Sequence, residues 1–283
     1  MRLWAISDLH VGHPDNRALV EAIPDHGADW LILGGDLGET LDHLTFVLDT
    51  LGPRFGRLLW VPGNHDLWSR DGAPRGEAKY HQLVAACRAR GVLTPEDPYP
   101  PWPGARPPNL APEATIRLAP LFLLYDYGFR PDDVPLEDVL DWALEDNILC
   151  LDERLLHSDP HPSRVAWCHA RLRETEARLS ALGPNDRPIL INHWPLRRDL
   201  LFIRRVPRFS PWCGTPLTED WHRRFRALAV VSGHQHVPRT DWRDGTRFEE
   251  VSLGYPREWR RVLGTAPGAP RLRDILPGPS LIG

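Results

Sequence analysis

Leu3-Trp4-Ala5-Ile6-Ser7-Asp8-Leu9-His10 opens the chain with a short apolar run that stops abruptly at a carboxylate and an imidazole. The same pattern returns four more times. Trp30-Leu31-Ile32-Leu33 runs into Gly34-Gly35-Asp36, and Leu58-Leu59-Trp60-Val61 into Pro62-Gly63-Asn64-His65-Asp66. Ile189-Leu190-Ile191 meets Asn192-His193, and Leu228-Ala229-Val230-Val231 meets Ser232-Gly233-His234-Gln235-His236. Short apolar runs bounded by Gly or Pro read as strands buried on both faces. Polar groups at the carboxyl ends of such strands are the usual functional arrangement of an α/β fold.

Helical patterns fill the intervals. Asn16 to Pro24, Leu41 to Leu51 and Glu77 to Arg90 read as helices, and Leu136 to Leu156 and Ser163 to Leu182 carry apolar residues at helical spacing. Gly183 is a natural stop for the last of these. Thr240 to Leu253 alternates around Asp244-Gly245, a favoured hairpin turn. Pro95 to Pro120 holds nine prolines and reads as a long surface loop. The expected organisation is a single domain over 1–263, with a Pro-rich insertion at about 95–120 and a helical insertion at about 136–182. A Pro/Gly-rich tail is expected over 264–283.

The chain of 283 residues is 42% hydrophobic, enough for a large core. No stretch approaches the roughly 18 apolar residues of a membrane helix, and the first residues lack the apolar region and cleavage site of a signal peptide. Cys87, Cys150, Cys168 and Cys213 are scattered without a CxxC pair, the pattern of reduced thiols in a cytoplasmic protein. The net charge of -4 argues against a bulk nucleic-acid binder. The charge is uneven, however: Leu190 to Val262 holds 14 arginines and 8 acids, a local +6 that leaves -10 for the remainder. Those arginines either steer an anionic partner or cover apolar surface and pair with nearby acids.

Taken together, Asp8, His10, Asp36, Asn64, His193, His234 and His236 supply carboxylate, amide and imidazole donors without thiolate. That mixture suits Mn, Fe or Zn better than Ca²⁺. Seven candidates exceed the needs of one tetrahedral ion, so two ions sharing a bridging carboxylate is the economical arrangement. The ordered set Asp8-x-His10, Gly35-Asp36, Gly63-Asn64-His65-Asp66, His193 and Gly233-His234-Gln235-His236 resembles the calcineurin-like metallophosphoesterases. The resemblance runs from Leu3 to about Leu253. It implies an α/β four-layer sandwich, with two mixed β-sheets packed face to face and flanked by helices. It also implies that Asp8, His10 and His236 hold one metal ion, that Asn64, His193 and His234 hold the other, and that Asp36 bridges them. Glu39 and Asp66 would then support the ligands from behind. His65, left out of the ligand scheme, would act on the substrate as proton donor or charge stabiliser, with Asp66 or Asp8 orienting its ring.

A narrower resemblance rests on Leu123-Leu124-Tyr125-Asp126-Tyr127, Trp167-Cys168-His169, Ser210 to Thr215, Pro238 to Thr240 and Gly254 to Arg261. These segments are similar to actinobacterial 4′-phosphopantetheinyl hydrolases, which remove the phosphopantetheine arm from carrier proteins. That resemblance implies an acidic carrier protein as substrate, docked through Arg197, Arg198, Arg204, Arg205 or Arg239. Phosphodiester hydrolysis with two metal ions, which lower the pKa of a shared water and neutralise charge at phosphorus, is the expected chemistry. A nucleotide or small-molecule phosphodiesterase, a phosphatase or a nuclease would use the same ligands. A non-catalytic scaffold would be free to lose them, and all are present.

Overall fold

The five apolar runs are strands in the computed structural model, which describes residues 1–70, 72–108, 110–263, 268 and 270–278. Among the described residues the strands are β1 (Leu3–Ile6), β2 (Trp30–Leu33), β3 (Arg57–Trp60), β4 (Thr115–Pro120), β5 (Asp186–Ile191), β6 (Ala229–Ser232), β7 (Arg239–Arg243), β8 (Thr246–Glu250) and β9 (Arg273–Leu276). One sheet has the order β3-β2-β1-β9 and the other β4-β5-β6-β8-β7. In each, a parallel set carries one antiparallel edge, β9 on β1 and β7 on β8.

Side-chain alternation assigns each strand residue to a layer. Leu3, Ala5, Ile32 and Leu59 meet Ile116, Leu118, Ile189, Ile191, Ala229 and Val231 in one buried cluster, the filling between the two sheets. The alternate residues Ile6, Leu31, Leu33, Leu58 and Trp60 join the cluster that contains the helical side chains. Both faces of these strands are therefore dry, which is why the runs show no polar alternation. The helix Leu41–Leu51 illustrates the covering layer. Thr40 caps it by accepting the His43 N–H at 3.1 Å, and Leu44, Val47, Leu48 and Leu51 form its buried stripe.

Three expectations need correction. The Pro-rich stretch is not irregular to its end: Thr115–Pro120 forms β4, parallel to β5 with Thr115 opposite Asp186. An edge position tolerates prolines, because half its ladder needs no N–H. The helix expected over Leu136 to Leu156 breaks into Val139–Leu144 and Asp152–Leu155, with Asn147 at φ 57° after the first piece, whereas Arg164–Ser180 is the helix expected over Ser163 to Leu182. Part of the expected tail forms β9, whose Ile275 and Leu276 are buried between the sheets. That strand is too short to show a period. Residues 264–267, 269 and 279–283 of the expected tail lie outside the described residues.

The two sheets touch where β1 ends. Ser7 donates its N–H to Val251 (3.1 Å) and accepts from Leu253 (2.9 Å), so Asp8 emerges at the junction of both layers. All four cysteines are free and buried. Among the described residues no helix is long and apolar enough to cross a membrane.

Candidate metal centre

The backbone turns sharply at each strand end. Asp8 (φ 54°), His10 (41°), Asp36 (54°), His234 (74°) and His236 (55°) all occupy the left-handed region. Non-glycine residues rarely adopt it, at a cost of roughly 1–3 kcal/mol each, and such strain gathers at functional sites. Close approach fixes the neighbouring glycines: a Cβ on Gly35 would sit 2.7 Å from His193 Nδ1, and one on Gly63 would collide with the Asp36 carboxylate. Asp66 ties the two loops together by accepting backbone N–H groups from Asp36 (2.8 Å), Leu37 (3.1 Å), Gly38 (3.4 Å) and Gly63 (2.9 Å).

These turns bring all seven sequence-selected donors to one place. His236 Nε2 lies 3.1 Å from Asp8 Oδ1 and 3.2 Å from His10 Nε2. Asp36 Oδ2 lies 3.5 Å from His193 Nε2 and 4.0 Å from His10 Nε2. The His193 and His234 rings are 5.1 Å apart, and Asn64 shares the cleft floor with His234 and Asp36. Three groups, Asp8–His10–His236, His10–Asp36–His65 and Asp8–Asp36–His193, have the spacing that could hold a metal ion.

Hydrogen bonds decide which atoms are available. The carbonyl of Gly34 can only accept, so His193 Nδ1 (2.9 Å away) carries the proton and Nε2 keeps its lone pair. Glu258 accepts from His236 Nδ1 (2.7 Å), which leaves Nε2 as the ring atom that faces Asp8. His65 donates its backbone N–H to Asp36 Oδ1 at 2.8 Å, leaving Oδ2 free. Ser7 Oγ (2.5 Å) and Ser252 Oγ (2.7 Å) both meet Asp8 Oδ2, so Oδ1 is the oxygen turned to the histidines. Among the described residues, Asn64 Oδ1, His193 Nε2 and His234 Nε2 are buried without a hydrogen-bond partner. Buried acceptors are almost always satisfied, and a cation satisfies all three at once. The donor set therefore fits bound metal ions.

Electrostatics agree with that fit. Burial, then the nearby His236, pushes His10 down to about 3, and burial with His193 beside it pushes His234 down to about 3. Both rings are neutral, the form that binds metal. Burial and the charges of Asp8 and Asp66 push the Asp36 carboxyl well above the usual range. A cation beside it relieves that cost. His236 is the exception: burial alone would depress it, but its bonds to Asp8 and Glu258 prevail and raise it to about 10, so a metal ion would have to displace the Nε2 proton that faces Asp8.

His65 lies beside the donors, its Nε2 3.9 Å from Asp36 Oδ2, although the ligand scheme does not need it. Its ring packs on Trp68 (centroids 3.7 Å) and edge-on to His10 (4.6 Å). Burial, then His10 and His236, holds it well below the usual histidine value. Neither acid expected to orient it does so, since Asp66 is committed to backbone N–H groups and Asp8 to Ser7, Ser252 and His236. Its neighbours are the Tyr255 hydroxyl, 3.4 Å from Nε2, and Glu39, 3.9 Å from Nδ1. Tyr255 and Glu258 fall in the Gly254 to Arg261 segment that carries the narrower resemblance, but no spacing in the sequence assigns either a role. Tyr255 directly precedes the helix Pro256–Leu263 and Glu258 lies in its first turn.

The floor opens into a cleft of about 770 Å³. Leu149, Cys150, Leu151, Ile203, Val206 and Phe209 give it an apolar portion, and His13, Glu39, His43 and Arg257 a polar one. The five arginines proposed for docking do not behave alike. Arg197 pairs with Asp199 (2.8 Å), Arg198 with Asp132 (2.9 Å) and Arg239 with Asp241 (2.6 Å), so local acids already neutralise them. Arg204 and Arg205 are exposed, and among the described residues neither has an acidic partner.

The family model of the calcineurin-like phosphoesterases matches residues 1–238. The acyl-carrier-protein phosphodiesterase PptH of Mycobacterium tuberculosis is 47% identical over 282 residues, covering 98% of this chain and 84% of that protein. The crystal structure of the phosphopantetheinyl hydrolase PptH from Mycobacterium tuberculosis matches with a TM-score of 0.88 at 45% identity, covering 98% of this chain and 96% of that one.

Proposed function

This chain belongs to the calcineurin-like phosphoesterase family, and we propose that it releases 4′-phosphopantetheine from a holo carrier protein by hydrolysing the phosphodiester to serine. Three buried, partnerless acceptors on Asn64, His193 and His234 beside the Asp8 and Asp36 carboxylates carry the hydrolytic part of this reading. Asp8, His10 and His236 would hold one ion, Asn64, His193 and His234 the other, and Asp36 both. Oxygen and nitrogen donors without thiolate suit Mn and Fe, and Zn is compatible. Bound ions of this kind lower the pKa of water and neutralise charge on phosphoryl oxygens.

The remaining groups act on the substrate. A seryl oxygen leaves badly as an alkoxide. His65, outside the ligand scheme and at the cleft floor, would supply its proton or stabilise its charge by a hydrogen bond. Tyr255 and Trp68 hold that ring in place. Arg204 and Arg205, the two docking candidates with unneutralised charge, would meet the acidic surface of the carrier. Their loop is fixed to the centre through Gln235, whose Oε1 accepts the Phe202 N–H at 2.6 Å. The buried free thiols are compatible with the reducing cytoplasm.

Mass spectrometry of a holo carrier protein incubated with the enzyme tests the substrate. Conversion to the apo form with free phosphopantetheine is expected. An unchanged carrier alongside active hydrolysis of bis(p-nitrophenyl) phosphate would restrict the enzyme to other diesters.

A further inference from the structure

Asp152 is fully buried on the short helix Asp152–Leu155, in the segment between β4 and β5. Its Oδ1 accepts two hydrogen bonds, from Asn64 Nδ2 at 3.0 Å and from Trp68 Nε1 at 2.7 Å. The indole N–H of Trp68 can only donate, which makes Oδ1 an acceptor, so the Asn64 amide turns its NH₂ towards that oxygen. That choice sends Asn64 Oδ1 the other way, where it is buried and without a donor. The two ends of an asparagine amide have nearly the same shape and exchange by a half-turn. Only the carbonyl end has a lone pair for a metal ion.

We infer that Asp152 is a positioning residue that locks the Asn64 amide in its metal-binding orientation, so that the inserted segment completes the second metal site. The inference rests on the reading that Asn64 holds a metal ion. It also assigns a role to the break in the helical insertion. The first helix ends at Leu144 and the next starts at Asp152, and it is at this restart that the carboxylate meets Asn64.

Metal affinities measured by chelator competition on folded protein test the inference. Asp152→Ala is expected to weaken one site about 10- to 100-fold, the range for losing a group that orients a ligand, and to leave the other site unchanged. Asp152→Asn keeps an acceptor oxygen and should bind both ions like the wild type. Adding Asn64→Asp to Asp152→Ala should restore the weakened site, because a carboxylate presents an oxygen after either half-turn. A role in packing alone would leave the double variant as weak as the single one, and that result overturns the inference. So does wild-type affinity in Asp152→Ala, or an Asp152→Asn as weak as Asp152→Ala. If the alanine variant does not fold, Asp152→Ser takes its place and is read the same way. Asn64→Ala is the control: retention of both ions there would remove the ligand assignment itself rather than the role of Asp152.

Discussion

The floor of the cleft and its mouth are built on opposite principles. At the floor, five of the seven donors sit on left-handed residues close after strands, and Asp8, His10, Asp36, Asn64 and His193 are buried. At the mouth, Leu149, Leu151, Phe202 and Val206 are exposed apolar residues on loops, with Arg204 and Arg205 beside them. A reaction centre needs fixed geometry and dry surroundings, and strand ends supply both. Recognition of a large partner needs area and accessible charge, and loops supply these. Chemistry and substrate choice are therefore expected to be separable by mutation.

His65→Ala breaks the comparison at the floor. Both metal ions should remain by elemental analysis, while turnover falls about 10²- to 10⁴-fold, the usual contribution of a positioned proton donor. The loss should be greater for a seryl leaving group than for a nitrophenolate. Full activity with both ions present would remove the residue from the mechanism.

A smaller and selective effect is expected at the mouth. The double substitution Arg204→Ala/Arg205→Ala should lower kcat/KM for a holo carrier protein by roughly three- to tenfold, as two exposed ion pairs allow. It should also flatten the salt dependence and leave bis(p-nitrophenyl) phosphate hydrolysis unchanged. Equal loss on both substrates would mean that the mouth and the floor are not separable.

The smallest effect concerns the support of the mouth loop. Hydrogen bonds from Arg197 push Asp199 down to about 2 from 3.8, outweighing burial, and Arg243 adds to the shift. A carboxyl depressed on folding stabilises the fold above its unfolded value and loses that contribution as pH falls through the folded value. Asp199→Asn should therefore lower Tm modestly at pH 7, and the difference should shrink as pH falls from about 4 towards 2. A pH-independent difference would assign the loss to packing.

Legibility in sequence follows the same division. The floor was readable because each donor directly follows an apolar run, and chain order preserves what the fold later assembles. β4 was hidden by its prolines and β9 by its length, since neither leaves a periodic trace. Asp152 was invisible for a different reason: its partner Asn64 lies 88 residues away, and only packing brings them together. The arginines were legible as a group but not as individuals. Pairing of Arg197 with Asp199, or of Arg198 with Asp132, depends on loop paths that composition does not specify.

The central claim is that the seven donors form one two-ion centre that cuts phosphodiesters. Titrating Mn²⁺ into metal-free protein while following bis(p-nitrophenyl) phosphate hydrolysis tests it most directly. Turnover should rise only as the second ion binds and should vanish with a chelator. Full turnover with a single ion, or with none, would contradict the claim.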